Sequence, residues 1–278
     1  MKFQIRHTTR YKYSEPASLS QNELYLHPRD TQYQTVLSNR LVIEPKPAFI
    51  RSRSDYFGNL VDVFMVQASH RELSITAESL IGTAAPHAPA ASSTPAWESV
   101  AQHLSAHPGE TDLEAYQFVF PSPMISVSPA LKRYGEPSFV EGAPILEAAL
   151  DLTRRINEEF TYEKGATTIG TAVEALLESK KGVCQDFAHF QIGVMRAYGL
   201  AARYVSGYLE TLPPPGKPKL LGADASHAWL SVFIPHSGWV DLDPTNNLIP
   251  GERHITIAWG RDYGDVTPTK GIVMGGGV

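Results

Sequence analysis

Cys184 is the only cysteine in the sequence, and its neighbours Gly182-Val183-Cys184-Gln185-Asp186-Phe187 bear on whether it can react. A thiol attacks as its thiolate, and a helix N-terminus favours that form because unpaired N–H groups and the positive dipole end lie beside it. The sequence supplies such a start. Lys180-Lys181-Gly182 carries the cations and glycine favoured at a helix C-terminus, so a new helix is predicted from about Val183 to Tyr198, stopping at Gly199. Gly182 would let the chain turn sharply into it, and Phe187, Phe190 and Val194 would anchor it. A lone cysteine is otherwise most often a small buried hydrophobe, so a base must be found.

His189 lies five positions along the same helix, about 140° off the face of Cys184. It reads as a core or supporting residue, and Asp186 as a carboxylate favoured by the dipole in a first helical turn. A better base lies in the segment from Asp224 to Ile234, where a strand places His227, Trp229, Ser231 and Phe233 on one face. The bend Pro235-His236-Ser237-Gly238 returns the chain through Trp239 to Asp243-Pro244-Thr245. A two-residue hairpin loop would bring His227 nearer Asn246; a longer loop or a bulge puts Asp243 on the same face. A Cys, a His and a carboxylate meet the needs of nucleophilic acyl transfer: the base takes the thiol proton, and the third group fixes its tautomer and stabilises the imidazolium.

These residues must be positioned by surrounding elements. Before residue 82 the pattern alternates, as in Phe3/Ile5, Tyr11/Tyr13, Leu24/Leu26 and Leu41/Ile43. Turn signals stand at Glu15-Pro16, His27 to Asp30, Glu44 to Pro47 and Phe57-Gly58-Asn59, and two further strands are predicted over Leu60 to Val66 and Leu73 to Ile81. That predicts an N-terminal antiparallel β domain over 1–82. Residues 83–140 read as linker and connecting segment, with a short helix near Trp97. From Ala143 the period becomes helical: Ile145, Ala149, Leu152, Ile156 and Phe160 share a face, and a second helix is expected from Thr171 with Glu174 as a capping box. Strands over Ala202 to Leu209, Ala225 to Ile234 and Trp239 to Leu242 complete a unit 141–278. Helices followed by strands argue an α+β class, an antiparallel sheet against helices.

Composition excludes several classes. The chain has 278 residues, 42% apolar and 19% charged, with 24 basic and 29 acidic side chains for a net charge of −5. That is a globular balance without a Lys/Arg run, so no nucleic-acid partner is expected. No apolar run approaches the roughly 20 residues of a membrane span, and no secretory leader pattern opens the chain. A cytoplasmic, non-membrane protein is expected, without intramolecular disulfide, multi-cysteine zinc site or cofactor. The other histidines, among them His70, His87, His103, His107 and His236, form no ligand-spaced cluster and receive no role.

The strings Gly182-Val183-Cys184-Gln185-Asp186-Phe187-Ala188-His189, Ser226-His227-Ala228-Trp229 and Gly238-Trp239 with Asp243-Pro244-Thr245 resemble the transglutaminase-like core. Arg203-Tyr204-Val205-Ser206-Gly207-Tyr208 resembles that family's strand after the cysteine helix. His7-Thr8-Thr9-Arg10-Tyr11-Lys12-Tyr13, Leu26-His27-Pro28-Arg29 and Asp55-Tyr56-Phe57-Gly58-Asn59 are similar to the β-rich domain preceding the core in bacterial members, and Gly260 to Pro268 to their closing segment. The resemblance implies a papain-like core, with Cys184, His227 and Asp243 as the triad. Its members include crosslinkers, peptidases, amidases and proteins without a working triad.

The expected activity is cysteine-dependent acyl transfer on the amide bond of a peptide or protein, through a thioester. Hydrolysis comes first because no amine-binding site is identifiable. Protein-glutamine transglutamination is the alternative, and a non-catalytic binding module is the alternative of another class. The Cys184 N–H is a natural oxyanion donor; Gln185 and Tyr162 are candidates for the second, and Trp229 for a wall of the site. No acidic cluster with calcium-loop spacing is evident. A mononuclear metal on Cys184, His227 and Asp243 is a minor reading, lacking a fourth ligand.

Overall fold

The computed structural model describes residues 1–106, 109–211 and 225–277; His107 and Asp224 lie outside the described residues. The alternating N-terminal sequence forms β1 (Lys2–Leu24), β2 (Gln34–Glu44), β3 (Phe49–Ser54), β4 (Leu60–Val66) and β5 (His70–Thr83). They pair in the order β2-β5-β1-β4-β3. Glu15-Pro16, expected as a turn between strands, lies inside β1. The strand continues past it, and the register against β5 shifts between Lys12 and Ala17. Proline cannot donate to a ladder, and such a shift is where a sheet tolerates it. Before it, β1 pairs with β5; after it, Ser20–Leu24 pairs with β4. Gly58 makes the turn after β3, at φ +73°.

Beyond the sheet come α1 (Trp97–Ala106), α2 (Glu110–Tyr116), α3 (Pro129–Gly135) and α4 (Ile145–Glu159), then β6 (Thr161–Tyr162), α5 (Ala175–Ser179), β7 (Lys181–Gly182) and α6 (Cys184–Ala197). Residues 83–140 do more than connect. Val100, Leu104, Ala115, Phe118, Ile125 and Leu131 lie in the same buried cluster as the apolar faces of α4 and α6, a packing role that short helices between prolines do not announce. The helix expected from Thr171 starts later, at Ala175, and Glu174 accepts from Ser126 Oγ at 2.6 Å rather than capping Thr171.

Four strands, β8 (Ala202–Leu209), β9 (Ala225–Ile234), β10 (Gly238–Leu242) and β11 (His254–Gly260), form an antiparallel sheet in the order β10-β9-β8-β11, and α6 packs on it. The fold is therefore α+β, with an N-terminal antiparallel sheet followed by helices and a second sheet. The last strand, β12 (Thr269–Gly275), leaves this region and pairs antiparallel with β1. Among the described residues no helix is long and apolar enough to cross a membrane.

Two buried side-chain amides join the sheets. An edge strand exposes unpaired N–H and C=O groups, and β11 is such an edge. Gln34 takes up the backbone of Thr256, its Oε1 accepting from the N–H at 2.9 Å and its Nε2 donating to the carbonyl at 2.7 Å. Asn59 does the same at Trp259, at 3.0 Å and 2.8 Å. The far end of α6 is tied by Arg196, which is buried and donates to the carbonyls of Phe118, Ala202 and Arg261 and to Ser122 Oγ. Replacing Asn59 with leucine keeps the branched shape, at a greater volume, but orphans both backbone groups of Trp259. At roughly 1–3 kcal/mol for each buried unsatisfied group, Asn59→Leu should lower the unfolding free energy by about 3 kcal/mol in a urea titration.

Candidate active site

The cysteine stands where expected, at the first residue of α6, for three local reasons. Lys180 adopts a left-handed conformation, φ +51°, and ends α5. The paired stubs β6 and β7 then lay Tyr162 beside Gly182. Asp186 accepts from the Val183 N–H at 2.8 Å and from Thr167 Oγ1 at 2.6 Å, capping the helix start. The need for glycine at 182 is steric rather than conformational: a Cβ there would stand 2.9 Å from both Cβ and Oδ2 of Asp186. Phe187, Phe190 and Val194 are buried as anticipated, with Phe160 against both phenylalanines. Cys184 itself is half-buried.

His189 takes no part beside the sulfur. Its Nε2 accepts from the Tyr263 N–H at 3.1 Å, and burial pushes its pKa down to about 4, so the ring is a neutral acceptor within the packing.

The hairpin settles the register. Gly238 pairs with Ile234 and Leu242 with Leu230, so the loop is three residues, Pro235-His236-Ser237, with His236 and Gly238 at positive φ. Asp243 thereby falls opposite Trp229, on the face that carries His227. His227 Nε2 donates to Asp243 Oδ2 at 2.7 Å, and Cys184 lies close enough to interact with the same imidazole. With Nε2 engaged, Nδ1 is the ring nitrogen left for the sulfur. The three residues converge.

Asp243 is fully buried, so its charge needs partners. Oδ2 accepts from His227, from Asn246 Nδ2 at 2.7 Å and from His254 Nε2 at 3.1 Å; Oδ1 accepts from the N–H groups of Thr245 at 3.0 Å and Asn246 at 3.2 Å. Burial alone would raise this carboxyl, but the bonds from His227 and His254 and the charge on His227 hold it well below the usual carboxylate range. Burial likewise works against a charged His227, yet the bonds and charges of Asp243 and Cys184 raise it to about 9. The imidazole therefore keeps its proton at neutral pH.

Trp229 walls this group from behind. It is fully buried, its ring is 6.0 Å from that of His227 and 5.3 Å from that of His254, and its Nε1 donates to Asp241 Oδ2 at 3.0 Å. Its N–H is thus committed elsewhere and is unavailable as an oxyanion donor. The indole fits because residue 207 on β8 is glycine; a Cβ there would collide with its ring and with the Ile255 carbonyl. Tyr162 is about half-exposed near Cys184, and burial, then the charges of Cys184 and Asp186, raise its hydroxyl pKa. It stays a donor at neutral pH. Gln185 is half-buried in the first turn of α6. The first N–H groups of a helix lack partners within it, so α6 offers those of Cys184 and Gln185 beside the sulfur.

His254 escaped the sequence reading; Asn246, expected near His227 only with a two-residue loop, has its Nδ2 3.3 Å from His227 Nε2 even with the three-residue loop and Asp243 on the shared face. The only signal for His254 was the alternation His254/Thr256 against Ile255/Ile257, which marks a strand but not its neighbour. Among the described residues the metal-ligating groups that cluster are His227, Asp243 and His254, each offering one ligand atom within 4.8 Å of the others, without Cys184. They already share hydrogen bonds, so a cation would have to displace the protons between them.

Comparison with known proteins agrees with this architecture. The family profile described as bacterial transglutaminase-like N-terminal region matches residues 3–82, and that of the transglutaminase-like superfamily matches residues 138–244. An uncharacterised protein of Mycobacterium tuberculosis is 40% identical over 279 residues, covering 98% of this chain and 87% of its own length. A protein-glutamine gamma-glutamyltransferase of Pseudomonas aeruginosa is 33% identical over 103 residues, 36% of this chain and 15% of that protein. The crystal structure of a candidate cysteine protease from Cytophaga hutchinsonii shares the fold, with a TM-score of 0.72 at 21% identity, over 98% of this chain and 88% of that one. On this similarity along its whole length, the chain belongs to the bacterial transglutaminase-like family.

Proposed function

We propose that the protein is a cysteine-dependent acyl-transfer enzyme that cleaves amide bonds of peptides or proteins by hydrolysis. The observation that carries this reading is one imidazole, His227, bonded to a buried carboxylate and close to the sulfur at a helix start. Cys184 would attack the carbonyl carbon as thiolate. The C–N bond breaks as the His227 imidazolium gives its proton to the leaving amine, and the acyl group remains as a thioester. His227 then takes a proton from water; the hydroxide adds to the thioester, the C–S bond breaks, and thiolate and imidazolium are restored. Asp243 holds the ring and its charge. The Cys184 N–H would face the developing oxyanion, with Tyr162 or Gln185 as the second donor.

Transfer to an amine is the second reading, favoured by the Pseudomonas relative named as a protein-glutamine gamma-glutamyltransferase. The two differ only in what resolves the thioester. A glutamine-containing peptide offered with a fluorescent primary amine distinguishes them: hydrolysis releases ammonia with no amine incorporated, and transfer incorporates it. Cys184→Ser should abolish either activity. Absence of any thioester on Cys184 by mass spectrometry, across a broad amide and peptide library, would leave a binding module on the same fold.

Loss of the Asp243 charge should slow acylation about a hundredfold or more in Asp243→Asn, given the roughly 10²–10⁴-fold contribution of positioned acid–base groups. The pH profile should change with it. The wild-type imidazolium is lost as pH rises through about 9, so single-turnover acylation should decline on that limb, and in Asp243→Asn the limb should move toward neutral pH.

The same proton contributes to stability. Because the folded-state value of about 9 exceeds the ordinary 6.5, the contribution is complete below pH 6.5 and is lost as pH rises through about 9. Thermal unfolding should report a falling midpoint across that window. The fall should be shallower in Cys184→Ala, which lacks one of the two groups that hold the proton.

A further inference from the structure

On the sheet face that carries Trp229, away from the sulfur, a cavity of about 470 Å³ opens between the second sheet and the chain at 31–34 and 83–88. Its size suits a small molecule rather than a single water, and neither Cys184 nor His227 lines it. Its walls include Trp239, Trp259 and, on β8, Arg203.

Arg203 is the unusual component. It is 9% exposed, and its guanidinium is stacked between two indoles, its carbon 4.2 Å from the centre of Trp239 and 3.7 Å from that of Trp259. Such stacking holds the plane and leaves the N–H edge free to bond. Its Nε reaches Ser231 Oγ at 3.5 Å, the outer limit of a hydrogen bond. Its two terminal nitrogens have no hydrogen-bond partner among the described residues, and no carboxylate there pairs with it within 4.0 Å. Asp241 also lines the cavity and its charge acts on Arg203, but its oxygens are engaged by other donors, accepting from Ser231 Oγ and Trp229 Nε1. Burial lowers the Arg203 pKa to about 9. A charge this deeply buried is costly when its counter-charge, Asp241, does not reach it as an ion pair, and Arg203 lines the cavity.

We infer that this cavity is a binding site for a small organic carboxylate, held by the free edge of the Arg203 guanidinium with its organic body against Trp239 and Trp259. The planar fork of N–H donors matches a carboxylate in bidentate fashion. The aromatic walls, with Val205, Ala88 and Pro86, suit an apolar body more than an inorganic anion. Two sources share this chemistry, a free carboxylic acid and the C-terminal residue of a peptide. The site also adjoins the Asp243 group, because His254 lines it and donates to Asp243.

Calorimetric titration tests the inference without relying on turnover. The probes are 3-phenylpropionate, N-acetylphenylalanine, the amide of each, and inorganic phosphate, titrated into the full chain carrying Cys184→Ser. At least one acid should bind saturably and its amide about tenfold or more weakly, as loss of a charge-assisted pair implies. Binding of phenylpropionate alone identifies the free-acid source; preference for N-acetylphenylalanine identifies the peptide terminus. Arg203→Lys should weaken the acid by a similar factor. Ala88→Phe, which fills the rim and leaves Arg203 in place, should abolish binding while the circular dichroism spectrum stays unchanged. The inference is overturned if no acid binds at 10 mM or below, an upper bound of about 3 kcal/mol of affinity, if acid and amide bind alike, if phosphate binds as tightly as the acids, or if a folded Ala88→Phe chain binds undiminished.

Discussion

A carboxylate with no exposure to water governs the architecture around it. Asp243 is removed from solvent completely, and its charge survives only because five donors converge on two oxygens. Those donors come from three places in the chain: β9 supplies His227, the turn after β10 supplies the Thr245 and Asn246 N–H groups with the Asn246 side chain, and β11 supplies His254. A carboxylate so surrounded cannot move without stranding several donors, so it fixes the orientation of His227. The hairpin register, the turn and the docking of β11 are all conditions for that charge to be buried.

The strand that brings His254 is in turn held by a distant part of the sequence. β11 has β8 on one side, and on the other the amides of Gln34 and Asn59 stand in for a neighbouring strand. The N-terminal sheet thus completes the hydrogen bonding of the second sheet, and β12 returns to pair with β1. The two sheets share one packed cluster through Tyr25, Val61 and Ile81. Docking of the first sheet is therefore linked to the position of His254, and through it to Asp243.

Much of this was legible in the sequence because it follows local rules. The start of α6 is encoded by Lys180 to Gly182 and by the spacing of Phe187, Phe190 and Val194; the shared face of His227 and Asp243 follows from alternation once the loop length is known. What escaped is what depends on distant partners. β3 lacks a strong pattern of its own, and is a strand because β4 pairs with it; β11 alternates, but nothing local says that β8 is its neighbour. Asn59 reads locally as a turn residue, and it does accept that role beside Gly58, yet its amide also closes the edge of β11. Residues 83–140, rich in proline with few periodic positions, declare no core role, although their apolar side chains cover α6. Glu15-Pro16 shows the opposite error: a strong local turn signal overridden by strand pairing on both sides of it.

The two acids of the returning strand divide one sheet face between two electrostatic environments. Asp241 and Asp243 are two positions apart and so project alike, but Asp243 is bound to two imidazoles, whereas Asp241 is bound to a hydroxyl and the Trp229 indole, near the stacked guanidinium of Arg203. Trp229 separates them. Its ring packs against both histidines, and its N–H satisfies Asp241, so one side chain serves as wall for one group and donor for the other. Its bulk is accommodated only because Gly207 has no Cβ. Were Trp229 replaced by a smaller apolar residue, Asp241 would lose a donor and turn to the guanidinium of Arg203 nearby, while the imidazoles lost their packing. The separation of the two charged groups, and with it the free edge of Arg203, thus rests on the fit of one indole over one glycine.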